Sequence, residues 1–477
     1  MTKHPAALIV FLLLASVLHA AKVSAQVDIG IRIMHLPTDT VWFGRTWGKK
    51  AIPLFYAVKN ADGFARLQSD TFLAPGIYAL MYKRGRHARY TFFSCLLDKE
   101  SRRWTVETLV DKPYSRALIS GNFLNESYVK YYDAFQTRLR LLDSLNDLWR
   151  LTQSAASFDS LVVWEQSLRR YQLSVQAAHA GTLLDTVVQW TLLPDGRTWL
   201  NSDQPLEERR RLRESAYHQA ALAAASSRDV HRKMSCPLWM DWLDLTVFKL
   251  YNNPADAQQF AEALLQALQP YPEAVQYYFS YLMYSFAHMT RFSMDEVFYY
   301  LYTTYVKTGR ANWLDEENRQ KLADLAAWMP GTLTGDRARD ANLQDRYGRP
   351  VRLDTLFRRY TLLIFWDPEC HHCRKELPIL RELADPYLPK GLRIVTVCMA
   401  KGPRLPECWA FVDSVHLPAS WIYLSEPDAK PALHRLYNLR SFPKWYLMDA
   451  EKKIVYRRTG EVPDWELQVI LQRFVGT

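Results

Sequence analysis

Two cysteines in the last third of the chain, Cys370 and Cys373, are the residues best suited to carry chemistry. An apolar, β-prone run over residues 361–366 and a turn at Asp367-Pro368 precede them, and a helical pattern follows. Residues three apart at a helix start share a face, so the two sulfurs can bridge with little backbone movement. The partial positive charge of a helix N-terminus favours the thiolate, which is the form that attacks disulfides. The spacing therefore predicts a redox pair in which Cys370 attacks and Cys373 resolves, with a Cys370–Cys373 disulfide as its oxidised form.

Other uses of such a pair are a structural disulfide, a zinc site and a haem attachment site. Zinc frameworks usually need a second ligand pair, and the sequence has no second Cys-x-x-Cys. Haem attachment needs a histidine directly after the second cysteine, where this chain has Arg374. His371 and His372, between the cysteines, could also ligate a metal, but the strand before and the helix after are typical of a thioredoxin fold. We therefore predict no metal and no other cofactor.

The segment FWDPECHHCRKELP, residues 365–378, resembles the active-site segment of TlpA/ResA-type thioredoxin-like proteins. These are extracytoplasmic thiol–disulfide oxidoreductases whose pattern is an aromatic pair, a turn, Cys-x-x-Cys, a basic pair, a glutamate, an apolar residue and a proline. The dipeptide between the cysteines departs from that pattern, since many relatives carry a proline there. His371-His372 is closer to oxidising members of the fold, which leaves the direction of electron flow open.

The resemblance implies roles for two further residues. Relatives carry a glutamate that tunes thiol acidity at the place of Glu376, and a cis proline that faces the cysteines at the place of Pro443. A carboxylate beside a thiol raises the thiol pKa when charged and can shuttle a proton when neutral. The alternative for Glu376 is an interaction with the helix dipole, and the alternative for Pro443 is a trans proline at a strand start.

Side chains that we expect at the substrate-binding surface flank the same pair. They are Trp366, His371, His372 and Phe442. A partly protonated imidazole near Cys370 would stabilise its thiolate and make the disulfide more oxidising. Trp366 is expected to pack beside the cysteines and shield them.

The remaining cysteines are predicted to be structural or unpaired. Cys95 lies in an apolar run and Cys236 stands alone beside a proline, so both are interpreted as buried, unreactive side chains. Cys398 ends a predicted strand, and Cys408 lies ten residues further on in an insertion. These two could form a second disulfide or a relay, but we favour two unpaired thiols.

The first 25 residues have the features of a secretory signal peptide. A short positive start at Lys3 precedes an apolar run over residues 6–18, which is too short for a comfortable membrane span, and small residues end the segment. Export predicts a periplasmic or cell-envelope location and argues against nucleic-acid partners, although the formal net charge is +10. No other apolar stretch is long enough for a membrane helix, so no stable span is expected after cleavage.

Composition and periodicity divide the mature chain into three parts and a linker. Residues 26–120 read as short strands between turns and predict a small, antiparallel, β-sandwich-like domain. Residues 121–330 predict an all-α domain, residues 331–340 a linker, and residues 341–477 an α/β thioredoxin-like domain with a central mixed sheet flanked by helices. The first two parts loosely resemble a β domain and a helical domain of unknown function that precede TlpA-like domains.

Together these features predict an exported enzyme that reduces disulfides of exported proteins and is reset by a membrane electron donor. Two alternatives stay open at this level. One is a thiol oxidase or isomerase of the same fold. The other is a polypeptide- or ligand-binding protein in which the redox domain is accessory.

Overall fold

The computed structural model describes residues 27–85, 88–99, 102–200, 203–251, 253–289, 291–427 and 433–476. The predicted signal peptide at residues 1–25 lies outside these ranges. The chain forms two compact units. The first contains the residues up to Arg140 with Ser167–Leu193 and Arg228–Trp242, and the second contains Leu141–Gln166, Pro194–Ser227 and everything from Leu243 onward.

Alternating apolar residues at the start of the first unit form a strand with one buried side. Val27, Ile29 and Ile31 are buried, while Asp28 and Arg32 on the other face of the strand are partly exposed. The strands are β1 (Val27–Met34), β2 (Thr40–Trp47), β3 (Lys50–Val58), β4 (Phe64–Ser69), β5 (Gly76–Lys83), β6 (Tyr90–Leu97), β7 (Arg103–Leu109) and β8 (Leu118–Ser120). They form two four-stranded sheets, ordered β4-β1-β7-β8 and β3-β2-β5-β6, which share one hydrophobic core. The predicted sandwich is therefore confirmed.

One pairing in this sandwich corrects the prediction of an antiparallel arrangement. Strand β1 lies parallel to β7, with Asp28 opposite Arg103 and Ile31 opposite Val106. Parallel neighbours need a long crossover, which is supplied here by the strands between them in the chain. Local patterns do not determine the relative direction of two strands that are so far apart in the chain.

The middle of the chain is helical, as the spacing of its apolar residues predicts. The helices are α1 (Phe123–Thr152), α2 (Ala155–Ala178), α3 (Leu183–Thr191), α4 (Leu206–Ala225), α5 (Val230–Met234), α6 (Pro237–Asp244), α7 (Pro254–Ala267), α8 (Pro272–Ala287), α9 (Asp295–Leu301) and α10 (Glu316–Ala326). Prolines that interrupt the sequence pattern mark helix starts, because the first helical position needs no backbone N–H. Within the described ranges, no helix is both long and apolar enough to cross a membrane.

The C-terminal part of the second unit is built on a seven-stranded mixed sheet, ordered β10-β9-β13-β12-β11-β14-β15. Its strands are β9 (Asn342–Asp345), β10 (Pro350–Arg352), β11 (Tyr360–Trp366), β12 (Leu392–Cys398), β13 (Ile422–Ser425), β14 (Lys444–Met448) and β15 (Ile454–Thr459). Its helices are α11 (His371–Ala384), α12 (Leu405–Ser414), α13 (Leu433–Leu436) and α14 (Asp464–Phe474). This confirms the predicted thioredoxin-like arrangement, in which a dithiol follows a central strand.

Strand β11 is the fixed base of the site. It pairs in parallel with β12 and antiparallel with β14. Leu363 and Phe365 pack into the core on one face, and Leu362, Ile364 and Trp366 on the other face are also buried. Because both faces of this strand are buried, almost all of its residues are apolar, as the sequence shows.

The outer edge of β15 is covered by a loop from the helical segment. The Ser293 hydroxyl accepts a hydrogen bond from the Arg457 N–H and donates one to the Arg457 carbonyl, both at 3.2 Å. The Phe292 N–H donates to Glu466 at 2.9 Å. Both Phe292 and Ser293 have left-handed backbone angles, with φ of 47° and 60°. Non-glycine residues adopt such angles only where the surroundings determine them, so this loop is held firmly in place.

Candidate active site

Cys370 occupies the N-cap of helix α11. Its backbone is extended, and its sulfur accepts a hydrogen bond from the Cys373 N–H at 3.3 Å. Serine, threonine, aspartate and asparagine normally take this role, in which a side chain binds a free amide of the first helical turn. The same amides and the helix dipole favour a negative charge on the sulfur. Cys370 is partly exposed, so this sulfur can meet a substrate.

Cys373 differs from Cys370 in being fully buried, with 0% of its surface exposed. Burial raises the pKa of its thiol well above the ordinary value, and its hydrogen bond with Cys370 adds to the increase. Both cysteines are free thiols in this structure, which therefore represents the dithiol form. The predicted Cys370–Cys373 disulfide stays a prediction about the oxidised form. The asymmetry between one accessible sulfur and one buried sulfur matches an attacking thiol and a resolving thiol.

The turn before Cys370 is organised by Asp367. Its carbonyl accepts the Cys370 N–H at 3.1 Å, and its carboxylate accepts the Glu369 N–H at 2.9 Å. Aspartate favours turns for this reason, since its side chain bonds the backbone two residues further on. Arg404, which precedes helix α12, donates to the same carboxylate at 2.8 Å.

The Phe442–Pro443 peptide bond is cis, as the family resemblance implied. The Phe442 carbonyl lies 3.5 Å from the Cys370 sulfur and accepts the thiol proton. This places Pro443, the first residue before strand β14, against the dithiol. Phe442 is partly exposed, and its ring lies 6.1 Å from that of His434. The substrate-binding roles of Phe442 and Pro443 stay predictions.

Glu376, three residues after Cys373 on helix α11, is buried, with only 4% of its surface exposed. Burial raises its pKa to about 7, and the nearby Glu461 carboxylate acts in the same direction. Its carboxylate accepts the Val462 N–H at 3.3 Å, which partly offsets that increase. Glu376 therefore bonds the loop after β15 rather than an amide of the first turn of its own helix. A carboxyl group with this pKa exchanges its proton near neutral pH.

The two histidines between the cysteines are exposed. Their rings lie 5.8 Å apart, and the His372 Nδ1 atom is 3.4 Å from the Glu461 carboxylate. Glu461 also forms an ion pair with Lys375. Sequence reasoning missed Glu461, because it lies far along the chain and belongs to no local motif. Both histidines are placed where a substrate could meet them, and their role in binding stays a prediction.

Trp366 ends strand β11 but is only 1% exposed. Its ring packs against Phe411 of helix α12 at a centroid distance of 5.4 Å. A side chain this buried cannot touch a substrate without a rearrangement. The structure therefore does not support direct substrate binding by Trp366. The structure instead places Trp366 in the core between β11 and helix α12.

Cys398 and Cys408 form a disulfide, which corrects the prediction of two unpaired thiols. Their Cα atoms are 6.2 Å apart, and both side chains are 0% exposed. The bond joins the last residue of β12 to helix α12. The sequence shows the ten-residue separation but not how the insertion folds back onto the end of the strand. Cys95 and Cys236 are free and buried, as predicted.

A partly exposed cysteine at a helix N-cap, a buried cysteine one turn on and a cis proline beside them are the arrangement expected of a dithiol site in a thioredoxin-like domain. Residues 334–457 match the model of the AhpC/TSA family. This part of the chain is therefore similar to that family, and its fold is thioredoxin-like.

Over this domain the chain is similar to two proteins whose names indicate a thioredoxin-like or oxidoreductase character. It is 24% identical over 139 residues to the thiol–disulfide oxidoreductase ResA of Bacillus cereus, a match that covers 29% of this chain and 77% of ResA. It is 28% identical over 139 residues to the thioredoxin-like protein YneN of Bacillus subtilis, covering 29% and 78%. The solved thioredoxin domain of a thiol–disulfide oxidoreductase from Bacteroides vulgatus is 28% identical and covers 30% of this chain and 97% of that chain, with a TM-score of 0.26. The domain is thus similar to proteins that are named thiol–disulfide oxidoreductases or thioredoxin-like proteins.

Proposed function

We propose that this protein works outside the cytoplasm and reduces disulfides of exported proteins through Cys370 and Cys373. The observation that carries the proposal is the position of the Cys370 sulfur. It is partly exposed, caps a helix at 3.3 Å from the Cys373 N–H and lies 3.5 Å from the Phe442 carbonyl. A thiolate there is stabilised by the helix and can meet a substrate disulfide beside the cis proline.

The reaction proceeds by two thiol–disulfide exchanges. The Cys370 thiolate attacks one sulfur of the substrate disulfide, a mixed disulfide forms, and the other substrate sulfur leaves and takes up a proton. Cys373 then loses its proton and attacks the Cys370 sulfur, which releases the second substrate thiol. Two electrons pass to the substrate, and Cys370–Cys373 is left oxidised. A membrane electron donor that supplies two electrons and two protons returns the pair to the dithiol.

Glu376 is suited to accept the proton of Cys373. The two residues are three apart on helix α11 and therefore share a face. Burial raises the pKa of the Cys373 thiol well above its ordinary value, so the buried thiol needs a base at the moment it attacks. The pKa of Glu376, about 7, is matched to that exchange at neutral pH.

The second disulfide supports a location outside the cytoplasm. Disulfides persist in oxidising compartments and are rare where glutathione and thioredoxin keep thiols reduced. Cys398–Cys408 is buried, and no step of the proposed reaction uses it. A structural bond of this kind fits the exported location predicted from residues 1–25.

The first test is the reduction potential of Cys370–Cys373, measured by equilibration with glutathione. A potential near about −220 mV or lower supports a reductant, and one near about −120 mV identifies an oxidant instead. A pair that does not cycle at all removes the enzymatic proposal and favours the binding-protein alternative.

A trapping experiment tests the assignment of the two sulfurs. Cys373→Ala should accumulate a mixed disulfide with a reducible model protein, because the resolving thiol is missing. Cys370→Ser should trap nothing, and Cys95→Ala serves as a matched control because Cys95 is a buried free thiol in the first unit. Trapping by Cys370→Ser but not by Cys373→Ala would reverse the assignment.

A further inference from the structure

The turn that presents Cys370 is held from outside its own segment. The Arg404 guanidinium donates to the Asp367 carboxylate at 2.8 Å and lies 3.1 Å from the Glu369 carboxylate. Asp367 in turn accepts the N–H groups of Glu369 and Cys370 through its side chain and its carbonyl. Arg404 therefore contacts Asp367, and Asp367 in turn binds the backbone N–H of Cys370.

Arg404 is itself anchored by the insertion that follows β12. The Cys398–Cys408 disulfide ties the first turn of helix α12 to the end of that strand, and both sulfurs are buried. Phe411, on the same helix, packs against the Trp366 ring at the end of β11. The backbone at the start of the insertion also bonds β11, through the Met399 N–H and the Trp366 carbonyl at 2.8 Å. The segment that carries Arg404 is thus fixed on both sides.

Two carboxylates lie at this turn, and a nearby cation can offset their negative charge. The Asp367 side chain is only 18% exposed, and Glu369 adds a second carboxylate. Burial is the main reason for the raised pKa of the Cys373 thiol, and the Asp367 carboxylate contributes to it. A negative charge beside a thiol opposes formation of the thiolate. A guanidinium that pairs with both carboxylates offsets that effect.

We propose that Arg404 is a positioning residue for Cys370, held in place by the Cys398–Cys408 disulfide. It fixes the Asp367 turn so that the Cys370 sulfur stays at the helix N-cap, and it neutralises carboxylates that would oppose the thiolate. This inference rests on the proposed function of Cys370 as the attacking thiol. The buried disulfide thereby contributes to reactivity at the other cysteine pair without exchanging electrons with it.

The test follows the alkylation of Cys370 by iodoacetamide against pH, in a background with Cys373→Ala. Arg404→Ala should move the titration of Cys370 to higher pH and slow alkylation at neutral pH by about threefold to tenfold. Arg404→Lys should recover most of the rate, because it keeps the charge while losing the forked geometry. A purely structural loss would not be rescued in this way, and circular dichroism checks that each variant is folded.

Arg346 provides a matched control. It pairs with Asp413 at 2.8 Å at the other end of helix α12, and its side chain is 38% exposed against 37% for Arg404. Arg346→Ala removes an equivalent ion pair from the same helix and should leave the pH profile of Cys370 as in the parent protein. If Arg404→Ala also leaves that profile in place, the inference is wrong.

The disulfide is tested by replacing Cys398 and Cys408 together with alanine. The double variant should show the same shift as Arg404→Ala, and combining the changes should add little, because both act through one contact. A parent-like profile in the double variant would show that the disulfide does not hold Arg404. The proposed function is tested separately by cycling of the parent Cys370–Cys373 pair, so its failure and the failure of this inference are distinguishable.

Discussion

The Cys370 sulfur accepts a hydrogen bond from the Cys373 N–H at 3.3 Å, so the atom proposed to attack the substrate is also the cap of the helix that follows. An N-cap contributes about 1 kcal/mol to stability. Reactivity and local folding therefore depend on the same atom, and substitutions at Cys370 can separate the two effects.

Cys370→Ser should abolish disulfide reduction but keep the cap, because the serine oxygen accepts the same N–H. Cys370→Ala should abolish activity and lower the free energy of unfolding by about 1 kcal/mol, since it removes the acceptor. Urea unfolding of both variants under reducing conditions measures the difference. Equal midpoints for the two variants would mean that the sulfur contributes nothing as a cap.

Glu376 should make the stability of the protein depend on pH. Its pKa rises from 4.5 to about 7 on folding, so the folded state holds a proton that the unfolded chain releases between these values. The contribution of this group to the free energy of unfolding is fully present at the acid end of that window. It is lost as the pH rises through the window. Glu376→Gln should therefore have the same free energy of unfolding as the parent at the acid end of the window. Above neutral pH its free energy of unfolding should be higher than that of the parent by about 2 kcal/mol.

Denaturant midpoints across that pH window test this prediction. Glutamine retains an acceptor for the Val462 N–H, so the variant removes the ionisation and keeps the hydrogen bond. Glu382→Gln is a suitable control, because Glu382 is an exposed carboxylate on the same helix, α11. A Glu376→Gln variant whose stability follows the parent at every pH would show that Glu376 is not the group responsible.

The exposed histidines should raise the reduction potential of the dithiol. An imidazolium near Cys370 stabilises its thiolate and hence the reduced form. Replacing His371 and His372 with alanine should lower the potential by about 30 mV, which is a tenfold change in the equilibrium constant with glutathione. His416→Asn, at an exposed histidine with a φ of 50°, is a control that should leave the potential in place. A rise in potential would contradict the prediction.

Arg457 and Asp295 form a buried ion pair between strand β15 and the start of helix α9. Arg457 is fully buried, and its nearest other carboxylate, Glu296, is 3.8 Å away. Asp295→Asn should lower the free energy of unfolding by about 3 kcal/mol, because it leaves a buried charge with a weaker partner. Asp413→Asn breaks an exposed pair and should cost well under about 1 kcal/mol.

Thermal or urea unfolding of these two variants gives the comparison directly. If Asp295→Asn has the same unfolding midpoint as the parent and Asp413→Asn has a lower one, then the buried pair is not the one that contributes more to stability. The comparison also tests whether the helical segment stabilises the redox domain, since the buried pair joins the two.

Local pattern predicted the central part of the site well. The apolar run that became β11, the turn at Asp367 and the start of helix α11 depend on neighbouring residues, and their observed bounds are close to the predicted ones. The cis bond before Pro443 came from the family resemblance, because nothing in the local sequence distinguishes a cis from a trans proline.

Features that depend on how distant segments meet were not predictable. The Cys398–Cys408 bond requires the insertion to fold back, and the contacts of Arg404 with Asp367 and of Glu461 with His372 join segments with no shared motif. The parallel pairing of β1 with β7 has the same origin. The packing of Trp366 against Phe411 of helix α12 has the same origin, because the two residues are far apart in the chain.

The loop at Phe292 and Ser293 has a consequence for how a polypeptide can dock on the redox domain. An uncovered sheet edge is a template for an added strand, and this loop occupies the main-chain groups of Arg457 on the outermost strand, β15. The opposite edge strand, β10, is three residues long and begins with a proline, which cannot donate to a neighbour. Both edges of the sheet thus disfavour pairing with a strand from another polypeptide. Under the proposed function, a substrate polypeptide is therefore expected at the face where Phe442 and Cys370 meet and not as an added strand at either edge.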